Sequence, residues 1–132
     1  LFSYEIFENL DLSKGNYEEL EFQFSSFVGC NFTQSSWNKS HLLFSNLQNT
    51  MLKNTKMEKM KIFDTDFSGA TLEQVDFAGA KIKHVSFAGA KLIQVDFSKV
   101  LLAEEINFQD AQIVDCKFPE EVGSGLLYHE NR

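Results

Sequence analysis

Histidines, cysteines, clustered carboxylates and lysines are the side chains of this chain able to do chemistry, and their spacing decides whether they do. The two cysteines, Cys30 and Cys116, lie far apart and show none of the paired spacings that bind a metal. Gly69, Gly79 and Gly89 recur every ten residues, without the strand–loop–helix setting of a phosphate cradle. Asp66, Asp76 and Asp96 could supply paired carboxylates for acid–base work, and Lys61, Lys81 and Lys83 could attract an anion. Each of these sets is spaced mostly by multiples of five or ten. Such spacing points to a repeating architecture before it points to a site.

The period is five. From Phe2 to Leu102 every fifth residue is large and apolar, through Phe7, Leu12, Tyr17, Phe22 and on to Leu92 and Phe97. Two residues before each of these centres the side chain is mostly small or β-branched, as at Ser25, Cys30, Thr65, Ala70, Val75 and Ala80. After Leu102 the frame slips by one residue and resumes with Ile106 and Phe108, Ala111 and Ile113, Cys116 and Phe118. A one-residue bulge is expected near Glu104 and Glu105.

Neither regular element accommodates this period. On an α-helix five residues advance ~500°, so successive centres wander around the cylinder. In a straight strand an odd spacing throws alternate centres onto opposite faces. The pattern closes if each pentad turns the chain by about 90°, so that four pentads make one square coil and about six coils make a rod. The small residue and the centre then both point inward, and the last two residues of the pentad turn the corner. Gly29, Gly69, Gly79 and Gly89, with Asn49 and Asn54, fall on the second corner position, where a positive φ is often required. The predicted core centres include Phe27, Leu47, Phe67, Leu72, Phe77, Phe87, Leu92 and Phe97.

Segments such as Thr65-Asp66-Phe67-Ser68-Gly69 and Val75-Asp76-Phe77-Ala78-Gly79 resemble the pentapeptide-repeat family. The resemblance covers about residues 1–118 and implies an all-β, right-handed quadrilateral β-helix, a solenoid of about six 20-residue coils. Residues 119–132 then form a C-terminal tail or cap, with Pro119, Glu120 and Glu121 stopping the repeat. In the N-terminal half Ser or Thr replaces the family's Ala, a departure from the consensus that does not break the frame. The chain opens on Leu1, already inside the repeat, as expected of a piece of something longer.

In this frame the chemistry recedes. His41 takes an outward slot and His84 a corner, and the repeat sets no carboxylate or nucleophile beside either to form a triad. Cys30 and Cys116 occupy inward slots too far apart for a disulfide, as expected of buried free thiols in a reducing compartment. Asp66, Asp76 and Asp96 fall on a regular outer wall. No catalytic, cofactor or metal residue is assigned, and an enzyme is not expected. No apolar run is long enough to span a membrane, so no membrane association is expected and a cytoplasmic location is the default.

Charge is uneven. The net charge is −7. Residues 1–30 carry six carboxylates against Lys14, whereas residues 31–63 carry five lysines against Glu58. Two acidic ends and a basic waist result, which argues against direct binding of nucleic acid.

One feature exceeds the needs of the repeat. Of the 14 phenylalanines, Phe24, Phe44 and Phe63 fall outside the core slots. Tyr4, Phe24 and Phe44 share the second corner position at 20-residue spacing and should stack as an exterior ladder, extended by Leu43 and Phe63 on the adjoining slot. An ordered apolar edge of this kind usually marks a contact surface. The leading expectation is a non-catalytic protein–protein interaction scaffold, or a module of a larger protein, whose partner is an unidentified protein or a second copy. Two alternatives stand beside it, the first implied by the family resemblance. Quinolone-resistance members act as DNA mimics toward a type II topoisomerase, which the net charge suits and the basic waist does not. A β-helical segment of a bacterial effector is the other.

Overall fold

The computed structural model describes residues 1–119 and 128–130. Eleven strands run in chain order as β1 (Phe2–Ser3), β2 (Glu21–Gln23), β3 (His41–Leu43), β4 (Met51–Lys53), β5 (Lys61–Asp66), β6 (Thr71–Asp76), β7 (Lys81–Ser86), β8 (Lys91–Asp96), β9 (Leu102–Phe108), β10 (Gln112–Val114) and β11 (Tyr128–Glu130). All pairings between them are parallel. One sheet orders them β1-β2-β3-β5-β7-β9-β11 and the other β10-β8-β6-β4. The registers Phe22↔Leu42 and Leu42↔Ile62 advance by one whole coil, so each residue stacks on the residue 20 positions away. The chain is a square β-solenoid.

The corners follow from the backbone. Every second corner position from Tyr4 to Gln94 has a positive φ, whether glycine (Gly69, φ 71°) or not (Lys59, φ 58°). The left-handed residue reverses the pleat once per pentad, which lets both flanking apolar slots face the same interior. The turn closes in the same way with glycine or without it: the Ala70 amide donates to the Phe67 carbonyl (3.0 Å) across Gly69, and the Ser40 amide to that of Trp37 (3.0 Å) across Lys39. Asp or Asn before many centres braces the same turn, with Asp66 Oδ1 accepting from the Ser68 amide (2.8 Å) and Asn46 Oδ1 from that of Gln48 (2.9 Å). These carboxylates belong to the turn, which is a reason for their position independent of catalysis.

Inside, like stacks on like. Phe67 and Phe87 lie 5.2 Å apart and nearly parallel, Phe87 and Phe108 5.5 Å apart, and Phe77 and Phe97 4.9 Å apart. Phe27, Leu47, Phe67, Leu72, Phe77, Phe87, Leu92 and Phe97 are all buried. The Ser and Thr residues of the N-terminal half keep the frame. Ser35, Ser40 and Thr50 are buried, and their hydroxyls donate to the carbonyls of Phe32 (2.7 Å), Trp37 (2.6 Å) and Leu47 (2.8 Å). A hydroxyl satisfied this way occupies an alanine slot without leaving a buried polar atom unpaired. Among the described residues, Trp37 Nε1 is the one buried side-chain nitrogen or oxygen without a partner. In the first coil the centres Phe7, Leu12 and Tyr17 are partly buried and Phe2 is exposed.

The frame slip is real, but it lies earlier than expected. Lys81 pairs with Leu102 and Ile82 with Ala103, an offset of 21 residues that is already complete before Glu104. Leu101 is the inserted residue and is 71% exposed. Leu102 is therefore an outward residue and Ala103 holds the centre slot. The sequence misled because Leu101 and Leu102 are both apolar, so the old frame reads on for one residue after the chain has left it. In the tail, Leu126 and Leu127 lie outside the described residues, while β11 adds a parallel strand to β9.

Phe67→Ala should cost about 3–5 kcal/mol in chemical denaturation, as expected for a large buried side chain. Leu102→Ala should cost under about 1 kcal/mol, because the slip places it outside the core. Equal costs would contradict the assigned frame.

Candidate functional site

The corner that follows β1, β2 and β3 and falls within β5, β7 and β9 carries the column Tyr4, Phe24, Phe44, Asp64, His84 and Glu105, all with positive φ. Its first half is aromatic. Tyr4 and Phe24 stack at 5.4 Å with an interplanar angle of 11°, and Phe24 and Phe44 at 5.0 Å and 9°. The three remain 73%, 46% and 51% exposed, so this ladder is a ridge on the outside of the rod. Since the rings stack on one another, their edges face solvent along the ridge and their faces are largely used up. The edge of an aromatic ring is its positive side, so the ridge does not offer stacked platforms for sugars or bases.

The neighbouring slots complete the surface. Leu43 and Phe63 pair in register on the sheet beside the ladder and are half-buried. The Lys61 ammonium lies 5.6 Å from the Phe63 ring centroid, a favourable cation–π contact. On the other flank, exposed Ile6 joins Tyr4, Phe24, Phe44, Asn46 and Asp66 around a shallow open groove. Ile6 was not singled out in the sequence; its place one coil below Ser26 is what brings it to the ridge.

The second half of the column is charged. His84 Nδ1 lies 2.7 Å from Glu105 Oε2, and His41 Nδ1 3.3 Å from Glu21 Oε1. Both histidines thus have a carboxylate neighbour, which corrects the sequence reading. Glu105 reaches His84 only because the slip at Leu101 shifts it by one residue, and Glu21 sits directly below His41 in the register. His129 lies in β11. Among the described residues no group of three or more His, Cys, Asp or Glu side chains is placed to hold a metal ion.

Cys30 is buried and Cys116 only partly so. Their thiols donate to the carbonyls of Phe7 (3.2 Å) and Leu92 (3.3 Å), and burial pushes both pKa values up, away from a reactive thiolate. Asp66, beside the groove, is the better-held acid. Burial works against its charged form, but hydrogen bonds from Ser68 and from Gln48 Nε2 (2.6 Å) outweigh that and hold its pKa below 3.8.

Among the described residues no helix is long and apolar enough to cross a membrane. The sequence matches the family model for the pentapeptide repeat region over residues 30–108. Two solved structures share the fold. A pentapeptide repeat protein, Rfr23, from the cyanobacterium Cyanothece 51142 aligns with a TM-score of 0.52 at 14% identity, covering 88% of this chain and 89% of that one. QnrB1, a plasmid-mediated fluoroquinolone resistance protein solved after trypsin treatment, aligns with a TM-score of 0.57 at 16% identity, covering 89% of this chain and 70% of that one. At such identities the likeness concerns the right-handed four-sided coil alone. None of the curated proteins compared matches the sequence.

Since the Asp66 pKa is depressed on folding, its carboxylate stabilises the fold above the unfolded value near 3.8, and that contribution is lost as pH falls through the folded value. Gln48→Ala should raise the Asp66 pKa in a carboxyl NMR titration. The stability gap between the two proteins should be open at neutral pH and close under acid; a pKa that does not move would refute the assigned bond.

Proposed function

This chain belongs to the pentapeptide-repeat family, and we propose that it works as a non-catalytic protein–protein interaction module, alone or within a larger protein. Its contact surface is the ridge of Tyr4, Phe24 and Phe44 with Leu43 and Phe63 beside it. The carrying observation is where the rings stand. A positive φ is a costly place for a bulky aromatic, and these rings gain only mutual stacking in return while about half or more of each stays exposed. Elsewhere the slot takes glycine, asparagine or a longer polar side chain, as at Gly69, Asn49, Gln34 and Lys59, and each meets the needs of the turn. Three aromatics stacked in succession at that slot therefore answer to something outside the fold. Apolar, ordered and bordered by polar residues, such a ridge suits contact with another protein.

The DNA-mimic alternative asks for carboxylates along the whole rod. Lys39, Lys59, Lys61, Lys81 and Lys83 stand in its middle coils, and they count against that reading.

The test is Phe24→Glu/Phe44→Glu, with mass by light scattering and capture of partners by the tagged protein. The double substitution should leave the thermal transition within a few degrees of wild type, since both side chains are exposed. It should also abolish either a wild-type dimer or the capture of a specific protein. Identical mass and identical captured proteins in the two forms would remove the ridge from the function.

A further inference from the structure

The ladder is only one margin of a flat face, and the other margin carries the opposite chemistry. On the sheet β2-β3-β5-β7-β9 the first outward slot reads Glu21, His41, Lys61 and Lys81, joined in register from coil to coil. Around the adjacent corner, exposed Lys39 and Lys59 stand one above the other, and the Lys59 stem lies across the space that Gly79 leaves without a Cβ. The second outward slot reads Leu43, Phe63 and Lys83 and leads to the ridge of Phe24 and Phe44. A basic stripe and an apolar stripe thus run side by side along the rod, two residues or ~7 Å apart.

This pairing is not what the fold requires. Lys61 and Lys81 face each other in register, and like charges so placed are destabilising. Solubility does not need them either, because the net charge of −7 comes from the acids. The basic stripe is also short. Glu19 and Glu21 end it on one side, and on the other Glu104 lies 3.8 Å from the Lys83 ammonium. From Phe24 to Lys83 the patch spans three coil spacings, or roughly 14 Å. A nucleic acid duplex or an anionic membrane would extend past it onto those carboxylates and be repelled.

Resting on the interaction-module reading above, we propose that this face docks an acidic amphipathic helix of a partner protein, lying along the rod axis. Roughly 14 Å holds a helix of about ten residues at 1.5 Å per residue. Its turns, 5.4 Å apart, keep near step with coils about 4.8 Å apart over that short distance. Glu or Asp on one flank meets Lys59, Lys61 and Lys81. Leu or Phe on the other flank lies on Leu43 and Phe63 and against the ridge. A strand laid this way would gain nothing from its backbone, because the sheet's amides and carbonyls are already paired from coil to coil, as between the Lys61 amide and the Ser40 carbonyl.

The experiment uses the full chain and a fluorescent helical peptide of about 14 residues, with Glu along one flank and Leu and Phe along the other. Anisotropy should show binding at least about ten-fold tighter than for the same peptide with Lys in place of Glu, or for a scrambled one, and weakening with salt. Lys61→Gln/Lys81→Gln should weaken it at least about ten-fold with the thermal transition within a few degrees of wild type, and Phe63→Ser by itself should also weaken it. Equal binding of the Lys peptide, no effect of the glutamine pair, or tighter binding of a short DNA duplex or phosphatidylserine vesicles would each overturn the proposal. If Phe24→Glu/Phe44→Glu still removes a captured partner while the glutamine pair does not, the acidic helix is excluded and the interaction module stands.

Discussion

Everything in this molecule depends on one backbone constraint, a left-handed residue every fifth position. That residue turns the chain through a corner and realigns it so that two slots per pentad always face inward. Its cost is modest at each corner but recurs at each one, because most corners here carry a side chain rather than glycine. Coil-to-coil hydrogen bonds and the burial of the centres must offset it. The fold is therefore additive along its axis, each coil held by its neighbours.

The same constraint explains the composition. A slot that repeats with identical geometry accepts few shapes, so phenylalanine accumulates in stacked columns such as Phe67, Phe87 and Phe108. The small slot takes alanine, or a serine or threonine whose hydroxyl returns to a local carbonyl. Turn-bracing aspartates such as Asp66 and Asp96 belong to this logic too, each accepting from the amide two residues on at 2.8 Å. Residues that look like reagents in the sequence are mostly parts of the frame.

Function must then be sought in what the frame does not explain. Aromatic residues at corners, in-register lysines and the half-buried Leu43 and Phe63 all gather on one sheet and one edge. Their coincidence on a single face is a stronger signal than any of them alone. The slip at Leu101 matters here as well. It brings Glu104 and Glu105 onto this side, where they close off the basic stripe and pair with Lys83 and His84.

The sequence by itself determined the period, the inward slots and most of the corner positions, since a side chain buried every fifth residue leaves its mark directly on composition. It also determined the aromatic ladder, because a fixed coil length turns residue number into position on the surface. Only the tertiary structure decided where the extra residue sits, since Leu101 and Leu102 are both apolar and only the pairing of Ile82 with Ala103 separates them. The carboxylate neighbours of His41 and His84, and the return bonds of the buried hydroxyls, were likewise settled only in three dimensions. Those depend on side-chain reach and coil register, which a pattern of residue types does not contain.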